Sequence, residues 1–171
     1  MSVATIHVCP LSKVDETVRR IGAQRLISLL TVGTEMTRPA SIRAEHHLLM
    51  NMHDIAVEQE GMTMPGEAHV RRVLEFAERW DRTRPLAINC YAGVSRSTAT
   101  AYIVAAALSP SRDEAELATS LRRLSPTATP NPRLIAVADH ILGRHGRMVE
   151  AIAAIGRGAE CFEGVPFGLE I

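Results

Sequence analysis

Residues 97–108 read as a helix that is apolar almost all round, with Ala99, Ala101, Ile103, Val104, Ala105, Ala106 and Ala107 spread over its faces. A helix with no polar side has no face to give to water, so this one must be buried against a sheet. The first half of the chain supplies the strands. Thr5 to Cys9, Leu26 to Leu30, His47 to Asp54 (with Leu48 to Met52 at its centre) and Leu86 to Cys90 are short apolar runs. Between them lie stretches of helical period: Val14, Val18 and Ile21, with Ser12 as N-cap and Asp15 behind it, then Val70, Val73, Leu74, Ala77 and Trp80. Residues 35–43 carry a proline and no period, as a loop would. Strands alternating with helices predict a parallel sheet covered on both faces.

The second half reads as helical. Ser111 and Glu114 make a capping box ahead of Leu117, Leu121 and Leu124. Asn131 and Pro132 form an N-cap and first-turn pair for a helix running to Gly143, with Leu134, Ile135, Ala138, Ile141 and Leu142 inward. A last short helix covers 148–155. The expected architecture is α/β, a central, mostly parallel sheet of about four to five strands flanked by helices, with a helical C-terminal half. Residues 1–156 are expected to form a single domain, and 157–171, opened by Gly158 and Gly164, an irregular tail packed on or near it.

Composition removes several classes of function. Lys+Arg and Asp+Glu are 19 each, so the chain lacks the basic excess of a non-specific nucleic-acid binder. Aromatic residues at 4% are too few for base-stacking platforms. No nucleic-acid partner is expected. Residues 1–8 have no basic region leading into an apolar run, and no stretch approaches the roughly 20 apolar residues of a membrane span. Cys9, Cys90 and Cys161 are too scattered for a disulfide framework or a cysteine-rich zinc site, which points to a reducing, cytoplasmic location and no membrane partner. The histidines have no third ligand at sensible spacing: His46 and His47 are adjacent, and Gly143 separates His140 from His145. No metal and no cofactor are expected.

The chemistry concentrates in Cys90-Tyr91-Ala92-Gly93-Val94-Ser95-Arg96-Ser97, between a predicted strand and a predicted helix. There the unpaired amides and the positive end of the helix dipole converge on one spot, an anion site. Gly93 lets the backbone bend close to a ligand. The planar fork of Arg96 can take two phosphate oxygens at once. The same field favours Cys90 as a thiolate, the form that attacks phosphorus.

This segment resembles the phosphate loop of the protein tyrosine phosphatase superfamily, Cys-x5-Arg followed by Ser or Thr, and most of all its small dual-specificity-like branch. The likeness covers roughly residues 45–140. It implies a phosphotyrosine phosphatase-like fold and a cysteine-dependent phosphomonoesterase acting through a phosphocysteine intermediate. Tyr91, Ala92, Gly93, Val94, Ser95 and Arg96 would bind the phosphate, and Ser97 would hydrogen-bond the sulfur and ease breakdown of the intermediate. The substrate would be a phosphorylated protein or a small phosphate ester. Asp54 ends one parallel strand and Cys90 another, so both open on the same edge of the sheet. Their spacing resembles that of the family's acid loop and nucleophile, which makes Asp54 the general acid, with Glu58 and Glu60 in reserve. Two departures stand out. Asn89 occupies the position where the family usually has His, so a catalytically weak or silent phosphate-binding module is the alternative reading. The loop also lacks the lysine of phosphoinositide-directed relatives. Sulfurtransferase and arsenate reductase readings fare worse, because no resolving cysteine adjoins Cys90 and Cys9 is followed six positions on by Asp15 instead of Arg. No added substrate-recognition loop is evident, so a shallow, tolerant pocket is expected.

Overall fold

The computed structural model describes residues 3–171; Met1 and Ser2, part of the stretch read for a leader, lie outside the described residues. Five strands make one sheet in the order β3-β2-β4-β1-β5. These are β1 (Thr5–Pro10), β2 (Arg25–Leu30), β3 (His47–Asn51), β4 (Leu86–Cys90) and β5 (Phe167–Glu170). β1 and β2 both run parallel to β4, and β3 runs parallel to β2. β5 alone is antiparallel, pairing with β1.

Alternation along the strands divides the sheet into two unequal faces. Ile6, Val8, Ile27, Leu29, Leu86, Ile88 and Cys90 face the larger core. Cys9, Leu26 and Ala87 face a smaller cluster under helix α1 (Val14–Ile21), which adds Val14 and Val18. The larger face carries α2 (Glu67–Glu78), α3 (Arg96–Leu108), α4 (Glu114–Leu124), α5 (Pro132–Ile141) and α6 (Arg147–Ile155). Every residue of α3 from Arg96 to Ala106 is buried, as its apolar circumference requires. Two of its buried hydroxyls find backbone acceptors: Thr100 Oγ1 donates to Arg96 O at 2.8 Å, and Tyr102 OH donates to Glu114 O, on α4, at 2.9 Å.

Three local expectations change. Ser12 is not an N-cap: a 3-10 turn, Leu11–Lys13, precedes α1, and Ser12 Oγ donates instead to Glu163 Oε2 at 2.7 Å. Asp113, not Ser111, caps α4, accepting from Glu116 N–H at 2.9 Å. Glu114 turns inward, where Arg144 donates to it at 2.8 Å, a buried pair that no local cap pattern could reveal. The tail read as irregular contains β5, whose short Phe167/Leu169 alternation is recognisable only once the free edge of β1 is there to pair with it.

Candidate active site

β4 delivers Cys90 to the carboxyl edge of the sheet, and α3 begins six residues later. The loop between them is held from outside by its carbonyls. Leu11 N–H donates to Tyr91 O at 3.0 Å, Gly164 N–H to Ala92 O at 2.8 Å, Thr129 N–H to Val94 O at 3.0 Å and Asn131 N–H to Ser95 O at 3.2 Å. Thr98 Oγ1 adds a bond of 2.6 Å to Val94 O. The backbone N–H groups of residues 91–95, by contrast, donate to no acceptor among the described residues. The loop thus has its carbonyls tied and its amides free, an arrangement able to receive an anion.

Gly93 is required on two counts. Its φ is +68°, and a Cβ there would lie 2.7 Å from Pro10 N and 2.9 Å from Cys9 C. The loop thus packs backbone to backbone on the end of β1, closer than any side chain permits.

Cys90, the first residue of this loop, is 2% exposed. Its Sγ is 3.0 Å from Ser97 Oγ. Arg96 is 6% exposed and oriented by one end of its fork: Nη1 donates to Met52 O at 2.8 Å and to Thr31 Oγ1 at 3.2 Å. Its Nε is buried without a partner. A buried guanidinium N–H left unpaired costs free energy unless a ligand completes it, and an oxyanion is the natural complement.

Asp54 lies three residues beyond β3, on the segment 52–66 that leads to α2. Ser95 Oγ donates to its Oδ1 at 2.7 Å and Asn131 Nδ2 donates to the same oxygen at 2.8 Å. The carboxylate is therefore docked directly on the loop between β4 and α3. Glu58 and Glu60 are exposed and make no hydrogen bond to the loop.

Asn89 faces the opposite side of the sheet from Cys90 and is fully buried. Ser28 Oγ donates to its Oδ1 at 2.6 Å and lies 2.9 Å from His47 Nε2. Because the Ser28 proton goes to Asn89, the hydroxyl oxygen accepts from His47 Nε2–H. Burial pushes His47 below its ordinary pKa, with Arg38 adding to the effect. The other two thiols differ sharply. Cys9 is buried under α1, where burial pushes it up to about 12. Cys161 is exposed. Among the described residues there is no cluster of three His, Cys, Asp or Glu side chains able to hold a metal ion, and no helix long and apolar enough to cross a membrane.

Sequence reasoning brought Cys90, Gly93, Ser95, Arg96, Ser97 and Asp54 to one place. It missed Thr31 and the Met52 carbonyl as anchors of Arg96, Ser28 behind Asn89, and the second task of Asn131. That residue caps α5, accepting from Arg133 and Leu134 N–H through Oδ1, while its Nδ2 holds Asp54. The capping signal was legible; the remaining donor was the hint that it had another partner.

No family model and no curated protein matches the chain. Solved structures do. DUSP15 superposes with a TM-score of 0.63 at 13% identity, over 91% of this chain and 93% of that one. The PTP-2 phosphatase of Cydia pomonella gives a TM-score of 0.61 at 14% identity, over 79% and 84% of the two chains. Human DUSP28 gives 0.58 at 17% identity, over 87% and 94%. The chain therefore has the fold of the protein tyrosine and dual-specificity phosphatases.

Proposed function

We propose that the protein is a phosphomonoesterase that works through a phosphocysteine at Cys90. The observation that carries this reading is the unpaired, buried Nε of Arg96 on the same short loop as five unpaired amides, 91–95, and Cys90. Arg96 is anchored through Nη1, which leaves Nε and Nη2 to take two oxygens of a bound phosphate. The amides of 91–95 take the rest. Together they stabilise the charge that spreads over the equatorial oxygens as phosphorus is transferred.

Cys90 Sγ attacks phosphorus in line and the ester oxygen leaves. Asp54 protonates that oxygen, then removes a proton from the water that attacks the phosphocysteine. Docking on Ser95 and Asn131 uses Oδ1 of Asp54, which leaves Oδ2 for the proton transfer. Ser97 donates to the sulfur as it departs from phosphorus, easing release of phosphate. Phosphorylated side chains are the natural substrate class for such a cradle, and no metal or organic cofactor takes part in these steps.

The test is turnover of an aryl phosphate by the wild type and by Cys90→Ser. The wild type is expected to release phosphate and the variant none above background. Equal rates would end the cysteine mechanism, and no turnover by either would favour a phosphate-binding module, the reading that Asn89 raised.

A further inference from the structure

After α6 the chain returns to the phosphate loop as a strap, residues 156–166, before entering β5. Arg122 Nη2 donates to Gly156 O at 2.8 Å. Gly158 N–H donates to Thr129 Oγ1 at 3.0 Å, and Ala159 N–H to Pro126 O at 3.0 Å. Gly164 N–H donates to Ala92 O at 2.8 Å, and a Cβ on Gly164 would sit 2.7 Å from Gly93 O. The strap is thus fastened to the back of the loop that holds the anion site.

Residues 157–161 form one wall of a groove of 360 Å³, and Asp54, Val94 and Ser95 lie across from them. Arg157 is fixed by backbone bonds on both neighbours, Gly156 and Gly158, while its side chain is 77% exposed. Its partner is Glu160 at 3.7 Å, itself 90% exposed. A loose pair in water contributes little and is screened by salt, so the guanidinium is available to a better acceptor. Further along the strap Phe162 is 90% exposed and Val165 77%, and Tyr91 of the phosphate loop is 59% exposed.

Building on the phosphatase reading, we infer that the strap selects the substrate: the groove takes a polypeptide leading away from the phosphorylated residue, and Arg157 pairs with an acidic side chain on it. The pinned backbone keeps the cation in place while the exposed side chain remains free to meet the ligand. Phe162 and Val165, exposed further along the same strap, offer apolar area that does not depend on charge.

Binding is read on the Cys90→Ser background, so that the result does not depend on turnover. Two phosphotyrosine peptides are titrated by calorimetry at low salt, one with Asp and Glu on both sides of the phosphorylated residue, the other with Asn and Gln. The acidic peptide is expected to bind more tightly. Adding Arg157→Ala should weaken it about threefold to fivefold and leave the neutral peptide within about twofold, and Arg157→Glu should reverse the preference. An equal loss for both peptides, no loss for either, or no binding of either peptide would overturn the inference. Aryl phosphate turnover reads the chemistry separately: it should be unchanged in Arg157→Ala, and its absence from the wild type with peptide discrimination intact would remove the hydrolytic reading alone.

Discussion

Two loops meet at the carboxyl edge of the sheet, and they are built in opposite ways. The loop from Cys90 to Ser97 is braced on every carbonyl but one between Tyr91 and Ser95, by the 3-10 turn after β1, the strap and the segment leading into α5. The acid segment, 52–66, is tied at few points. His53 N–H donates to Thr63 O at 2.8 Å, Asn131 holds Asp54 and Ile55 O, and Arg133 Nε donates to Pro65 O at 3.1 Å. Residues 56–63 between these ties are exposed throughout. The difference teaches that, under the proposed mechanism, the charge-stabilising loop is preorganised by its neighbours, whereas the proton donor is set by two side-chain hydrogen bonds on one carboxylate oxygen. Electrostatic preorganisation needs rigid dipoles. A proton donor needs only to be within reach of the leaving oxygen.

The contrast can be tested from its largest effect downward. Arg96→Lys puts a point charge where a fork is anchored at one end and open at the other, so kcat/KM should fall by about a hundredfold to a thousandfold on every substrate. A loss that depended on the leaving group would mean that the cradle is not the common element. Asp54→Asn should cost about a hundredfold on a phosphoserine peptide and much less on an aryl phosphate, whose phenol leaves with a pKa of about 10 and needs less help. One limb of the pH–rate profile should flatten as well. An unchanged profile would reassign the acid, with Glu58 and Glu60 tested next.

The same contrast explains what the sequence could show. Cys90, Gly93, Arg96 and Ser97 lie within eight consecutive residues between a strand and a helix, so their convergence follows from local geometry alone. Asp54 was reachable because parallel strands end on one edge. Ser28 and Thr31 at the end of β2, Met52 after β3 and Asn131 before α5 come from three separate segments and act through individual hydrogen bonds, which no periodicity encodes. The strap was harder still: its glycines look like the residues of a loose tail, yet Gly164 is small because it must fit against Gly93 O. β5 was hidden for a related reason, since a four-residue strand has almost no pattern until its partner edge is known. The capping box at Ser111 and Glu114 failed because Asp113 takes the cap, accepting from Glu116 N–H, while Glu114 turns inward to Arg144.

A crystal structure with inorganic phosphate tests the cradle most directly. Phosphate should sit inside the ring of amides 91–95, with Arg96 Nε at hydrogen-bonding distance, about 2.7–3.1 Å, from one oxygen and Cys90 Sγ beneath the phosphorus. Phosphate bound elsewhere while the ring stays empty, or an Arg96 side chain swung away from Cys90, would contradict the account.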